Sequence, residues 1–280
     1  MVGARREVSS RVTLLIASLL ALAGFLWPLI ATAVPRDAQA AVPVLALALV
    51  PVAVVALALT VDRQMHSATT VALLGMLTAV GAAVRIAGTG VGGLEAVFIV
   101  LILAGRAFGA RFGFLLGMLV ISLSSVLWGG IGPWTPFQIF ACGWVAAGAG
   151  LLPRITARSQ RRAARLEVLM LVGYGILASY AFGLIMNLWF WPFAVGAGSD
   201  ISYSAGAPLG QNLASFGLYS LVTSTLTWDT VRAVTTVVGI VLVGPAALAA
   251  LRRARIGSAR TRPASGTPPR STVARGAGTR

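Results

Sequence analysis

Few side chains in this sequence are equipped for chemistry, and most of those are neutral. Arg85 and Glu95 bracket a glycine-rich stretch, "IAGTGVGGLE", and Asp229 and Arg232 open a late apolar run as "TWDTVR". The amides Gln138, Asn187 and Asn212 and the rings Trp128, Trp134, Trp189, Trp191 and Tyr219 fall at the ends of apolar runs or between them. Such a set suits recognition, because ligand pockets are mostly apolar and aromatic with a few convergent polar groups that fix orientation. Reaction chemistry fits less well. A membrane enzyme or proton-driven transporter places ionisable residues within its spans, and these runs hold almost none. His66 and Cys142 are the only residues of their types, so no metal-ligand spacing exists. The phosphate loop GxxxxGK[ST] does not occur. No enzyme activity, cofactor or metal is therefore expected.

Each candidate also has a plainer role. Tryptophans near span ends commonly form an interfacial belt. Asp229 and Arg232, three apart on one helical face, suit a local ion pair, with Thr227 capping the helix and Asp229 complementing its dipole. Gln138 and Asn187 stand out individually, because an amide near an apolar helix end has no belt function. Cys142, mid-span, reads as a small packing residue.

These residues must be positioned by elements in a bilayer: 58% of the residues are apolar and 10% charged, far from the balance of a soluble domain. Crossing hydrocarbon takes roughly twenty apolar residues, and such runs lie near 12–34, 41–61, 68–87, 91–108, 111–129, 135–153, 166–190 and 230–251. Eight spans are expected in an all-α integral membrane protein. The net charge is +15 and all 22 basic residues are arginine. With a cytoplasmic N-terminus, nineteen of them fall on the cytoplasmic side and three, Arg36, Arg85 and Arg232, on the other. That is the positive-inside asymmetry, not the continuous basic groove that nucleic acid would need. The expected location is the cell membrane, multi-pass, with both termini cytoplasmic.

Two stretches leave alternatives. The run 12–34 could be a signal peptide, given "ATA" and "AQA" behind it, but its length and Trp27-Pro28 favour a retained span. The stretch "NLASFGLYSLVTSTL", 212–226, is nearly long enough for a ninth span. A ninth crossing would move Arg252, Arg253 and Arg255 outside, so a short helix or re-entrant piece on the outer face is expected. The tail 256–280, rich in Gly, Ser, Thr, Pro and Arg, has too little apolar content to fold.

From about Ala68 to Arg255 the chain resembles the substrate-binding S-components of energy-coupling factor (ECF) transporters, in which a vitamin or other micronutrient is captured by a membrane subunit. The likeness rests on the order and character of four blocks: "ALLGMLTAVGAAVRIAG", "GLEAVFIVLILAGRAFGARFGFLLG", "GGIGPWTPFQIFACGWVAAGAGLLPR" and "LVTSTLTWDTVRAVTTVV" before an arginine cluster. It implies a six-helix core at 68–255, preceded by a two-helix extension at 1–67 and followed by the tail 256–280. It further implies a separate transmembrane coupling subunit and two ABC ATPase subunits as partners, and a small vitamin-like substrate, cobalamin or a related corrinoid being the first choice. "GGIGPWTPFQ" resembles the turn at the mouth of the substrate pocket. The candidate substrate-binding residues are thus Glu95, Trp128, Trp134, Gln138, Asn187, Trp191, Asn212, Tyr219, Asp229 and Arg232. In that family docking uses small residues on the first core helix. Ala68, Ala72, Gly75, Ala79 and Ala83 fit, since helices in lipid associate where small residues let backbones approach. The same residues packing within the bundle, and a membrane-embedded enzyme or structural scaffold as the function, are the alternatives.

Overall fold

The computed structural model describes residues 2–31, 68–88, 96–196 and 198–260, together with 43–45, 47, 48, 50, 51 and 54; for 2–11 and 255–260 it describes the backbone alone. Every regular element among them is helical. In chain order they are α1 (Val2–Phe25), α2 (Trp27–Ala31), α3 (Ala68–Gly88), α4 (Val97–Phe108), α5 (Ala110–Trp128), α6 (Thr135–Leu151), α7 (Gln160–Ala194), α8 (Leu209–Ser220), a π-helical segment (Leu221–Asp229) and α9 (Thr230–Arg260). Helical residues also occur within 43–54. Most of the expected span 41–61, His66, Glu95 and the tail from 261 onward lie outside the described residues.

Among the described residues four helices are long and apolar enough to cross a membrane: α3, α5, α7 and the run from Leu209 to Ala254. The chain is thus an all-helical protein with membrane-length helices. Within the expected span 91–108 the described residues form a helix of 12, Val97–Phe108, and the expected span 135–153 is a helix of 17 residues. Both are shorter than a full crossing of about twenty residues. The expected first span, 12–34, is two helices, because Pro28 has no N–H with which to continue the ladder and the chain turns at Leu26.

Helix α4 is the hub. It contacts α3, α5, α6, α7 and α9, and eight of its residues are buried, among them Phe98, Leu101 and Ile102. A helix apolar on all sides belongs in the middle of a bundle. Two abrupt reversals deliver its neighbours. Gly109, at φ 99°, joins α4 to α5, and Gly129, at φ 76°, ends α5. Both conformations strain any residue with a Cβ.

Around this hub the helices meet backbone to backbone. A Cβ at Gly105 or Gly113 would strike the Ala146 carbonyl, and one at Gly117 would strike that of Cys142. Gly105 of α4 and Gly113 and Gly117 of α5 thus give α6 a close approach to two helices at once. Helix α3 lies at the edge, packing on α5 and α4 through Leu74, Leu77, Gly81 and Ala82. Its opposite face is exposed, and nothing lies within 4 Å of a Cβ built at Gly75. Helix α1 leans on α6 and α7, burying Ala17, Ala21 and Phe25.

The final helix departs from expectation. The stretch 212–226 is helical, but it continues into α9 without a break through the π-helical segment. Thr227 therefore caps no helix start; its hydroxyl donates to the Ser224 carbonyl at 3.5 Å. The physical reason lies in the run "TSTLTWDT": carbonyls left by the wider winding are taken by hydroxyls, Thr223 donating to Tyr219 O at 2.7 Å and Thr230 to Thr225 O at 2.7 Å.

The arginines mark the two ends of the bundle. Arg106, Arg154, Glu167 and Arg252 gather at one end, the arginine-rich end, while Arg85 and the turn 129–134 lie at the other, the aromatic end. At the first, Glu167 of α7 accepts from Arg106 of α4 at 2.7 Å and from Arg252 of α9 at 2.6 Å. Arg106 also donates to the carbonyls of Leu152 and Pro153, at 2.7 and 3.0 Å. One carboxylate thereby ties α4, α7 and α9 together, and Arg106 extends the tie to the end of α6.

The seam sets a stability test. Gly117→Leu is expected to lower the thermal midpoint of the purified chain by more than about 5 °C, since overpacking a close contact costs roughly 1–3 kcal/mol or more. Gly75→Leu, which meets open space, should leave the midpoint within about 2 °C of the parent.

Candidate functional site

Three polar constructions occupy the aromatic end. The first surrounds Arg85, in the last turn of α3. Its Nη1 donates to Ser124 Oγ at 2.8 Å and to Ser125 Oγ at 3.4 Å, and its Nη2 donates to Gln138 Oε1 at 3.0 Å. Three helices converge on one guanidinium: α3 carries it, the last turns of α5 supply the hydroxyls, and the first turn of α6 supplies the amide. All three acceptors are neutral. Among the described residues no carboxylate pairs with Arg85, so within them its positive charge is held in place without being neutralised.

The turn "GGIGPWTP" sets the position of Gln138. Gly129 and Gly130 end α5, with the Gly130 N–H donating to Ser125 O at 3.0 Å. Gly132 and Thr135 exchange bonds of 2.9 Å, Gly132 N–H to Thr135 Oγ1 and Thr135 N–H to Gly132 O. Pro136 then suits the first turn of α6, where no intrahelical N–H is needed. Trp134 lies with its ring against Gly132, where a Cβ would collide with it. Trp134 and Trp128 are exposed, in keeping with an interfacial belt.

The second construction is a buried ion pair. Asp229 is wholly buried, its Oδ1 accepts from Arg232 Nη1 at 2.7 Å, and its Oδ2 accepts from Ser224 at 3.0 Å. Arg232 Nη1 also donates to the Ser179 carbonyl at 3.1 Å, and the guanidinium lies over the rings of Phe182 and Phe98, at 4.8 and 5.6 Å from their centroids. Space for the carboxylate exists because residue 183 is glycine; a Cβ there would coincide with it. The pair binds α9 to α7 and α4 in low dielectric, where removing one partner strands the other charge.

The third construction closes the chain between α7 and α8. Trp191 is fully buried and donates from Nε1 to Ile201 O at 2.7 Å. Asn212 accepts from Ser204 N–H at 3.1 Å and donates to Ser204 O at 2.9 Å, so its amide brackets a single residue. Asn187 donates to Ser220 Oγ at 3.2 Å, and Tyr219 is buried. Trp27 of α2 reaches the same region, donating to Trp189 O at 2.9 Å. Trp189 stacks on Phe137 with centroids 4.3 Å apart, and its own Nε1 is buried with no partner among the described residues. Tyr203, in the connection, donates to Pro28 O at 3.3 Å, and burial raises its phenol above the usual tyrosine range.

The structure thus joins Arg85 to Gln138 and Asp229 to Arg232, and separately joins Asn187 to Ser220 and Asn212 to Ser204. It brings none of the amides to Asp229, and Glu95 lies outside the described residues. Sequence reasoning missed Ser124, Ser125, Ser179, Gly183, Phe98 and Phe182. Only the tandem serines offered a signal, two hydroxyls together at the end of an apolar run.

Ala68, Ala72, Gly75, Ala79 and Ala83 are all exposed along one side of α3. Packing inside the bundle, the plainer reading of this stripe, does not occur among the described residues. No protein-family model, curated protein or solved structure matches the chain.

Asp229 offers a direct test of whether the buried pair is structural. Asp229→Ala is expected to destabilise the chain by about 3–5 kcal/mol, because it breaks a buried ion pair and removes the acceptor of Ser224. Asp229→Asn combined with Arg232→Met should restore most of the loss in thermal or denaturant unfolding. A double variant no more stable than the single one would show that the charges have a role beyond holding α7 to α9.

Proposed function

We propose that the chain is the substrate-capturing membrane subunit of an ECF-type importer, with an anionic group of the substrate bound at Arg85. The observation that carries this reading is the Arg85 cradle. Ser124, Ser125 and Gln138 fix the guanidinium while leaving its charge uncompensated among the described residues, which is the arrangement an incoming carboxylate or phosphate completes. A stationary cation held by neutral acceptors needs no reorganisation when the anion arrives.

The same helix supports the second half of the reading. Helix α3 carries Arg85 near one end and the exposed stripe Ala68, Ala72, Gly75, Ala79 and Ala83 along its outer face. A separate coupling subunit could approach that stripe closely, and movement of one helix would be felt at both places. Two ATPase subunits would supply the energy, since the chain has no phosphate loop of its own. Eight crossings with both termini cytoplasmic remain the proposed topology; the arginine-rich end is then cytoplasmic and Arg85 faces outside. Cobalamin is the substrate to test first, because its nucleotide loop carries a phosphodiester that suits a fixed guanidinium. Asn187, Asn212 and Trp191 would then support the site by holding the α7–α8 connection, and Glu95, Trp128, Trp134, Tyr219 and Asp229–Arg232 complete the candidate set.

Titration of the purified chain with cobalamin in nanodiscs tests the capture step. Arg85→Met and Gln138→Leu are each expected to weaken binding roughly tenfold to a hundredfold, the effect of losing one charge-assisted hydrogen bond or its positioning amide. Unchanged affinity in both would remove this cradle from the site, and no binding by the parent chain would remove cobalamin.

Docking has its own readout. Ala72→Trp, Gly75→Trp and Ala79→Trp should abolish cellular uptake while leaving binding by the isolated chain intact, because each side chain points away from the bundle. Normal uptake by all three would sink the docking role of α3.

A further inference from the structure

A cleft of about 930 Å³ opens at the arginine-rich end, between the α4–α5 turn, the stretch 152–157 and the first turns of α7. Its charged lining is three guanidiniums, Arg106, Arg154 and Arg252, against one carboxylate, Glu167. Both Glu167 oxygens are taken, by Arg106 at 2.7 Å and by Arg252 at 2.6 and 3.1 Å. Arg154 is exposed and has no carboxylate partner among the described residues. Three cations less one anion leave a surplus of two positive charges around one cavity.

The three arginines differ in what they can still do. Arg106, with 7% of its side chain exposed, is committed to Glu167 and to the carbonyls of Leu152 and Pro153. Arg252, with 46% of its side chain exposed, holds Glu167 yet faces the cleft. Arg154 has no ion-pair partner among the described residues. Thr156 and Gln160 add neutral polar groups, and the opening turn of α7 contributes the positive end of its dipole. The volume far exceeds a lone small anion, and Phe108 with Ile155 supplies an apolar wall.

We propose that this cleft binds a phosphate group carried on a larger molecule, the two sources being the headgroup of an anionic phospholipid and a soluble phosphate ester. Guanidiniums suit phosphate because their planar fork matches its oxygens. Basic pockets between membrane helices are where anionic headgroups lodge. The proposal is independent of the transport reading: it requires only this cavity and its charges.

Native mass spectrometry of the full chain in detergent tests it, with phosphatidylglycerol, phosphatidylcholine and glycerol 3-phosphate as probes. Phosphatidylglycerol is expected to be retained at least about tenfold better than phosphatidylcholine. Arg154→Gln should lower that retention at least about fivefold at an unchanged thermal midpoint, and Arg158→Gln, on the same connection but outside the cleft lining, should not. Displacement by glycerol 3-phosphate at comparable concentration would assign the site to soluble esters, and persistence of the lipid would assign it to headgroups. Either result supports a phosphate site. Binding of neither anionic probe above phosphatidylcholine, no effect of Arg154→Gln, or equal losses in the two arginine variants would overturn it.

Discussion

The bundle depends on how closely α6 can approach α4 and α5. In lipid there is no water to expel from between helices, so association rests on van der Waals contact and on polar groups that find partners. Gly105, Gly113 and Gly117 remove the side chains that would hold the α6 backbone away. That single closeness has distant results. It seats α4 at the centre, brings Arg106 to the carbonyls that end α6, and sets the start of α6 so that Gln138 meets Arg85.

Against that smooth seam the chain sets a small number of polar ties, each placed where a helix would otherwise slide. Glu167 holds the arginine-rich end, Asp229–Arg232 holds the interface of α7 with α9, and the Arg85 cradle holds α3 to α5 and α6. The three are not equivalent. The first two contain both signs of charge, as expected of fastenings. The third contains one sign only among the described residues, which is the ground for the capture site proposed there.

Much of the helical framework was legible because apolar runs bounded by glycine, proline and arginine have few other interpretations in a bilayer. Helices α3, α5 and α7 lie where the runs at 68–87, 111–129 and 166–190 place them. The pairing of Asp229 with Arg232 was legible too, being local, three residues apart on one turn. What escaped was anything set by packing between distant segments. Gln138 stood out as an amide without a belt role, but its partner is 53 residues away, on a helix that periodicity does not assign as its neighbour. Glu167 drew no notice, because its partners lie 61 and 85 residues off. The continuity of 209–260 was hidden for another reason: a separate ninth crossing would move Arg252, Arg253 and Arg255 outside, so 212–226 read as a short helix or re-entrant piece, whereas it runs on into α9 with its Thr hydroxyls satisfying the helix's own carbonyls.

Those same hydroxyl-rich residues, Leu221–Asp229, also act as a phase adjuster for the longest helical run in the chain. A π-wound stretch uses more residues per turn than an α-helix, so it rotates everything on one side of it relative to the other. Asn212 on one side must face Ser204, while Asp229 and Arg232 on the other must face Gly183 and Ser179. The extra winding reconciles these two bearings. Losing one residue from it would let the stretch relax to an α-helix and swing the Asn212 bracket out of alignment, with every partner of that bracket still present.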